Sequence, residues 1–337
     1  MKKNNTICFV AGRSGGHIIP ALTLAKKHKQ KHKDASILFF STHTELDKKI
    51  TKNKIITWYK PLKLGNIPYK KLYLWPQFFF HFFKAFFVAF YFLFKTSPSK
   101  VVSTGGYIAL PVCIAAKVLY IPIELFELNV LPGKTTQFLA PFAQTINICF
   151  KGTKKHLKKY NCIEKEYPIS FEKNSNNSMS LPSNFSAKKK TVLILGGSQG
   201  SLFINNTVKK WIQEKKHHDI QIIHQTGAND TTDWQSFYNH YSIAAVSFAF
   251  SSAIEKYYKI ADLIICRSGA GTLFETQFFN KKCITIPLAT KTNTHQIENA
   301  KSFVKQYKKM SYILQKTILD DPKSFSTLVQ NKISNKA

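Results

Sequence analysis

The residues best suited to chemistry in this chain sit in short glycine-rich turns. At Leu263-Ile264-Ile265-Cys266 an apolar run of the kind buried in a parallel sheet breaks into Arg267-Ser268-Gly269-Ala270-Gly271. The pattern then predicts a helix from Thr272 that carries Glu275 one turn in. A strand that ends in a glycine turn and feeds a helix is a ready anion site. The free N–H groups and positive dipole end of the helix face the turn, and glycine lets a phosphate approach the backbone. Glu275 would repel phosphate, yet its carboxylate suits the diol of a ribose beside it. The competing reading is an ordinary strand-to-helix turn with a solvated glutamate.

The same pattern occurs elsewhere. Thr6–Val10 reads as a strand, followed at once by Gly12-Arg13-Ser14-Gly15-Gly16-His17 and a helix opening at Ile18. The spacing G-x-x-G-G-H is not the dinucleotide fingerprint, and the acid expected on the next strand is missing. An imidazole at His17, just past the last glycine, could serve as a general base near neutral pH, or merely cap the helix. Val101–Ser103 leads into Thr104-Gly105-Gly106-Tyr107, and Ile121–Phe126 ends at Glu127 and Asn129, with Gly133 opening the next helix. Thr191–Leu195 runs into GGSQGS, which contains Ser198 and Gln199, and Ile220–His224 runs into Gln225-Thr226-Gly227. Ala244–Phe250 and Cys283–Pro287 complete the set of strands. After the last of these, His295-Gln296-Ile297-Glu298-Asn299-Ala300 starts a helix with Gln296 and Asn299 on one face. Amide side chains suit sugar hydroxyls, because each offers donors and an acceptor; a solvated first turn explains two amides equally.

Such turns need alternating strands and helices to position them, and the alternation occurs twice. The expected fold class is α/β, two Rossmann-like doubly wound domains facing a cleft. The domains span residues 1–165 and 191–315, joined by a linker at 166–190 and followed by a helical tail at 316–337. Residues 172–190, EKNSNNSMSLPSNFSAKKK, are polar and low in complexity, as a linker should be.

The chain has 337 residues and a formal net charge of +31. Of its 49 basic residues only Arg13 and Arg267 are arginine, and both lie in glycine-rich loops. Lysine richness of this kind can follow from base composition of the genome. Its distribution adds more: residues 1–123 hold 20 basic residues against Asp34, Glu45 and Asp47. A cationic N-terminal half favours an anionic partner, lipid or nucleic acid. Against nucleic acid, the lysines are scattered and no recognition motif occurs. The six cysteines show no CxxC pairing, which fits a reducing compartment, and Ile7–Ala11 is too short for a signal peptide. A cytosolic protein is expected.

Residues 72–95 are the least ordinary segment, with ten phenylalanines between Phe78 and Phe94. Its longest stretch free of strongly polar residues, Ala85–Phe94, is too short for a bilayer span. On a helix Gln77, His81, Lys84, Tyr91 and Lys95 form one narrow polar stripe, which leaves a broad apolar face. The pattern predicts a helix lying in the membrane plane, with Lys60, Lys63, Lys70, Lys71, Lys95 and Lys100 at anionic headgroups. A buried core helix is the alternative.

Taken in order, AGRSGGHIIPAL, STGGYIALP, ELNVLPG, ILGGSQGS, HQTG, CRSGAGTLFE and HQIENA resemble the motifs of the MurG family, over about residues 6–305. Members transfer N-acetylglucosamine from its UDP donor to undecaprenyl-pyrophosphoryl-N-acetylmuramoyl-pentapeptide. The resemblance implies an inverting glycosyltransferase of GT-B fold, peripheral at the cytoplasmic face of the cell membrane and active in peptidoglycan synthesis. It places the donor at Ser198, Gln199, Phe250, Arg267, Ser268, Gly269, Ala270, Gly271, Thr272, Glu275, His295, Gln296 and Asn299. It places the acceptor at Ser14, Gly15, Gly16, His17, Gly105, Gly106, Tyr107 and Asn129, with Ser14, Gly15, Gly16 and Asn129 assigned to the donor as well. His17 is the expected base, Glu127 a weaker candidate. No DxD pair occurs, so no catalytic metal and no cofactor are expected. A related glycosyltransferase acting on another lipid, such as diacylglycerol, would share the fold and donor site. Three positions depart from the family pattern: Arg13 and Ser14 in the first loop, Glu166–Ser170 where the family ends in arginine, and Lys291–Thr294 before the HQ pair.

Overall fold

The computed structural model describes the chain apart from residues 1–4, 13, 45–53, 66, 69–70, 173–180, 198–199, 215–218, 252, 289, 291–293 and 335–337. The chain folds as two compact units, Met1–Ser170 and Phe171–Ala337.

The N-terminal unit is built on a seven-stranded parallel sheet. Its strands are β1 (Thr6–Val10), β2 (Ser36–Ser41), β3 (Trp58–Pro61), β4 (Val101–Ser103), β5 (Ile123–Glu127), β6 (Thr145–Ile148) and β7 (Cys162–Glu164), in the order β3-β2-β1-β4-β5-β6-β7. The connecting helices are α1 (Gly15–Lys31), α2 (Trp75–Thr96), α3 (Ala109–Val118) and α4 (Lys134–Leu139). The central strands are unbroken apolar runs because helices cover the sheet. Register is explicit: Cys8 lies opposite Val101 on one side and Leu38 on the other.

The C-terminal unit repeats the plan with six parallel strands, β8 (Lys190–Leu195), β9 (Ile220–Gln225), β10 (Ala245–Phe248), β11 (Leu263–Cys266), β12 (Lys282–Thr285) and β13 (Met310–Tyr312). Their order is β10-β9-β8-β11-β12-β13. The helices are α5 (Leu202–Glu214), α6 (Trp234–His240), α7 (Ile254–Ile260), α8 (Ala270–Phe278), α9 (His295–Gln306), α10 (Gln315–Asp320) and α11 (Pro322–Ser334). The last helix belongs to this core: Phe325 and Val329 are buried, and the Phe325 ring meets Trp211 edge-on at 6.3 Å. The chain before β8 also packs here. Asn184 donates to the Ala245 carbonyl at 3.2 Å, and Phe171 lies among Tyr258, Phe278 and Phe279. Both sheets are flanked by helices in the doubly wound manner expected.

Three short strands, β3, β7 and β13, lie outside the sequence expectation. All sit at sheet edges, where one neighbour supplies the pairing and no apolar run is required. Trp58 is exposed, as are Ile163 and Glu164.

Helix α2 shows a different partition from the one its composition suggests. Its buried side is a stripe of small and apolar residues, Ala85, Ala89, Leu93 and Thr96, at spacings of three and four. Ala85, Ala89 and Leu93 share a core with Val112, Cys113 and Ala116 of α3. The exposed side carries Phe80, Phe83, Phe87, Tyr91 and Phe94. Gln77, Lys84 and Lys95 are exposed as well, while His81 is half-buried, so the polar stripe runs alongside exposed rings instead of opposite them. Only 17% of the most apolar window of Leu72–Thr96 is buried, so this is not the buried core helix that was the alternative. Alanine at 89 sets how closely α2 approaches α3. Ala89→Leu is expected to lower stability by about 1–3 kcal/mol through overpacking, measured by urea denaturation of the full chain.

Candidate functional site

In a parallel sheet, ligands gather where the strand order reverses, because loops leaving the two strands diverge and open a crevice. In the N-terminal unit the order reverses between β1 and β4. The loops leaving these strands carry Ser14, Gly15, Gly16 and His17 on one side, and Gly105, Gly106 and Tyr107 on the other. Ser14 is the N-cap of α1 in extended conformation, and its carbonyl accepts from the N–H groups of His17 and Ile18. Gly16 is exposed, and Ser14 and His17 are half-buried.

His17 is held from the opposite loop. Its Nδ1 lies 2.7 Å from the Thr104 carbonyl, and the Thr104 hydroxyl donates to the His17 carbonyl at 2.8 Å. A carbonyl only accepts, so the neutral ring carries its hydrogen on Nδ1 and its lone pair on Nε2. That is the tautomer a general base needs. Gly105 makes this fit possible. Its φ is +107°, and a Cβ there would lie 3.0 Å from His17 Cε1. Gly106 caps α3 through its carbonyl, which accepts from Ala109, and the half-buried Tyr107 does the same for Leu110.

Glu127 ends β5, the next strand along, and Asn129 follows it. Glu127 is only 3% exposed. One carboxylate oxygen accepts from the backbone N–H of Asn129 at 3.0 Å and from its amide at 3.4 Å, and the other accepts from Gly133 N–H at 2.9 Å. The carboxylate therefore clamps the turn that leads into α4. The Asn129 carbonyl accepts from the Thr153 hydroxyl at 2.9 Å.

In the C-terminal unit the order reverses between β8 and β11. The β8 turn contains Ser198 and Gln199, which lie outside the described residues. Its far end, Gly200, has φ +79°, and a Cβ there would come within 2.6 Å of Gly227 Cα and the Thr226 carbonyl. Glycine thus lets the β8 and β9 loops touch backbone to backbone. The β11 loop is Arg267-Ser268-Gly269. Gly269 is the extended N-cap of α8, whose first turn contains Ala270, Gly271 and Thr272 and no acidic residue. Among the described residues other than its chain neighbours, a Cβ built on Gly269 meets no atom within 4 Å. The first N–H groups of a helix such as α8 are backbone donors of the kind that bind an anion.

The polar residues around this turn brace one another. Arg267 donates from Nη1 to the Ile286 carbonyl at 3.1 Å, and its guanidinium lies 5.6 Å over the Phe203 ring. Burial pulls its pKa down to about 10, which leaves it cationic at neutral pH. The buried Ser268 hydroxyl pairs with Thr285 at 2.7 Å. Asn299 was expected on a sugar-facing surface with Gln296. It is instead fully buried, donating to the Ser268 carbonyl at 3.3 Å, because α9 packs this amide over the end of β11. Gln296 accepts from Leu288 N–H at 2.9 Å, and His295 is half-buried beside it. Glu275 accepts from the buried Tyr258 hydroxyl at 2.9 Å. Burial raises the Glu275 pKa, and the Tyr258 bond works against that rise. Phe250 is 64% exposed, two residues past β10 at the sheet margin.

Beneath the β9 loop lies a buried network that spacing alone does not reveal. Tyr238 O–H donates to His224 Nδ1 at 2.9 Å, and His224 Nε2–H donates to Asn205 Oδ1 at 3.1 Å. The Asn205 amide donates to the Thr226 carbonyl at 2.9 Å and to Asp230 at 2.6 Å, and Trp234 also donates to Asp230 at 3.1 Å. His224 opens the HQTG motif, but its partners are 14 and 19 positions away. Thr104, Phe203, Tyr258 and Thr285 carry no sequence signal of their contacts either. Of these only Thr104 lies in one of the glycine-turn motifs.

The chain matches the Glycosyltransferase family 28 N-terminal domain over residues 7–148 and its C-terminal domain over residues 191–336. A protein of Protochlamydia amoebophila, named UDP-N-acetylglucosamine--N-acetylmuramyl-(pentapeptide) pyrophosphoryl-undecaprenol N-acetylglucosamine transferase, is 34% identical over 305 residues, 88% of this chain and 79% of the relative. One of the same name from Pelagibacter ubique is 30% identical over 334 residues, 99% of this chain and 90% of the relative. The chain belongs to the MurG family of glycosyltransferases. The crystal structure of Acinetobacter baumannii MurG has the same fold, with a TM-score of 0.72 at 24% identity, covering 97% of this chain and 90% of that one. This MurG-family protein is thus a hexosyltransferase, with the two Rossmann-like units of the GT-B class.

The buried network makes stability depend on pH. Burial holds the His224 pKa at about 3, against an ordinary 6.5. Between those values the unfolded chain binds a proton that the folded chain refuses. Stability is therefore full above pH 6.5 and falls as pH drops toward 3, by up to about 1.4 kcal/mol per pH unit. His224→Gln is expected to flatten that slope in denaturation series between pH 7 and 4.5, and to lower stability at pH 7 by about 1–3 kcal/mol.

Proposed function

We propose that this glycosyltransferase moves N-acetylglucosamine from UDP-N-acetylglucosamine to the 4-hydroxyl of undecaprenyl-pyrophosphoryl-N-acetylmuramoyl-pentapeptide. The relatives at 30–34% identity carry the name of that activity. The observation that carries the reading is the pair of glycine-lined loops at the strand-order reversal of each unit, one with a tautomer-fixed histidine, the other with an arginine beside a helix N-terminus.

In this reading the C-terminal unit holds the donor, within residues 191–315. The diphosphate lies at the first turn of α8, with Arg267, Ser268, Gly269, Ala270, Gly271 and Thr272 around it. Ser198 and Gln199 reach the sugar phosphate, Glu275 takes the ribose hydroxyls, and backbone near Phe250 takes the uracil. His295 and Gln296 serve the sugar. Asn299 shapes the site from beneath by fixing the Ser268 carbonyl. The N-terminal unit holds the acceptor pyrophosphate, within residues 1–165, at Ser14, Gly15, Gly16, Gly105, Gly106 and Tyr107, with Asn129 at its margin.

Chemistry follows from these roles. The acceptor 4-hydroxyl attacks the anomeric carbon in line with departing UDP, inverting it from α to β. His17 Nε2 takes the hydroxyl proton while the Thr104 carbonyl steadies Nδ1–H. The negative charge gathering on the leaving diphosphate is met by the α8 N-terminus and Arg267, donors already in place before the bond breaks. Glu127 positions the Asn129–Gly133 turn.

The exposed face of α2 supports docking on an anionic cytoplasmic membrane surface. Its rings present apolar area, and the exposed Lys63, Lys71, Lys84 and Lys95 present charge. Lys60 lies 4.1 Å over the Phe92 ring, while Lys100 is paired with Glu124 at 2.5 Å and adds less. Leu72–Thr96 is long and apolar enough to cross a bilayer. Its inner side, however, is packed into the core with α3, which favours an in-plane position.

Two measurements test the proposal. UDP release from UDP-N-acetylglucosamine is expected with the monoglycosylated lipid pyrophosphate as acceptor and not with diacylglycerol. His17→Ala should lower that turnover by about 10²- to 10⁴-fold while UDP binding by calorimetry stays intact, and full activity in this variant removes His17 as base. For the membrane face, replacing Phe80, Phe83 and Phe87 by serine together should abolish co-sedimentation with anionic vesicles and shift the thermal midpoint by no more than about 2–4 °C.

A further inference from the structure

We infer that Phe203 is a positioning residue for the donor diphosphate, its ring holding the Arg267 guanidinium at the point where three strand-end loops meet. The inference rests on the reading of the C-terminal unit as the UDP-sugar site. Phe203 is the second residue of α5, just past the β8 turn. Arg267 follows β11, and Ile286 follows β12. These three strands are neighbours in the sheet. The Arg267 side chain, carried on the segment after β11, therefore meets the segments after the other two, through the Phe203 ring at 5.6 Å and the Ile286 carbonyl at 3.1 Å.

The choice of residue types fits this task. Lysine supplies 47 of the 49 basic residues, yet this position is arginine. A planar guanidinium can lie flat on a ring and donate sideways in its own plane, whereas an ammonium has no such face. The bond to Ile286 uses one of five N–H donors, so the group keeps donors for an anion. Gly269, the N-cap of α8, lies in the same loop, two residues on.

Packing alone does not account for the ring. Phe203 is half-buried and lines a cavity of about 350 Å³ between α5 and the α10–α11 pair. A leucine there would still meet its core neighbours but would offer the guanidinium no π face. The ring thus serves the core on one side and the arginine on the other.

The test uses the full-length protein and four variants: Phe203→Leu, Phe203→Tyr, Arg267→Lys and the double variant Phe203→Leu/Arg267→Lys. UDP affinity is read by calorimetry, and donor and acceptor kinetics by UDP release. Phe203→Leu should weaken UDP binding on the order of tenfold and lower donor kcat/KM in step, with acceptor KM unchanged. Phe203→Tyr, which keeps the ring, should bind UDP as the wild type does. The double variant should bind no worse than Arg267→Lys alone, because both changes break the same contact. Wild-type UDP affinity in Phe203→Leu overturns the inference, as do additive losses in the double variant. If Phe203→Leu does not fold, a tenfold loss in Phe203→Met, which nearly keeps the volume, decides in its place. Failure of the unaltered protein to bind UDP overturns the donor-site reading itself, and this inference with it.

Discussion

Reversal of strand order in a parallel sheet is the constraint on which the rest of this structure depends. Between β1 and β4, and again between β8 and β11, neighbouring strands send their chains to opposite sides. Such a reversal is where parallel sheets leave room for a ligand at the strand ends, beside helix N-termini. Glycine at 105 and at 200 then lets loops approach what they must touch, an imidazole in one unit and another backbone in the other. The chemistry proposed for His17 and Arg267 follows from where topology leaves room.

The two crevices are braced differently. In the N-terminal unit a few bonds do most of the work, with Thr104 fixing the His17 ring and Glu127 gathering three donors from its own turn. In the C-terminal unit the bracing is a web. Ser268 bonds Thr285, Asn299 reaches Ser268, Gln296 holds Leu288, and the Asn205 cluster ties α5 to the β9 loop. In the function proposed above, an anion there meets backbone N–H groups and Arg267, and the web holds those groups in place.

The sequence was most legible where local pattern and global role coincide. The runs at Thr6–Val10, Thr191–Leu195 and Leu263–Cys266 are central strands because burial on both faces demands uninterrupted apolar residues. The edge strands at Trp58–Pro61 and Met310–Tyr312 carry no such pattern, since their state comes from a partner strand distant in sequence. Site residues divided in the same way. Glycine turns announced their places, but which polar groups face inward depended on packing. Asn299 looked like a surface amide at helical spacing and is wholly buried, and nothing near His224 signalled Tyr238 or Asn205. For α2 the polar positions were read correctly as a stripe, while its buried side is set by Ala85 and Ala89, whose small size is visible only against α3.

The rings at Phe80, Phe83, Phe87, Tyr91 and Phe94 line up along one side of a helix whose other side is fully employed in the core. So long a ribbon of uncovered aromatic surface is rarely tolerated on a freely diffusing monomer. Crowded copies of this chain, deprived of any amphiphile, would bury the ribbon against one another, with the net charge of +31 opposing them. For anyone preparing the protein, the choice of detergent is therefore part of its structural chemistry.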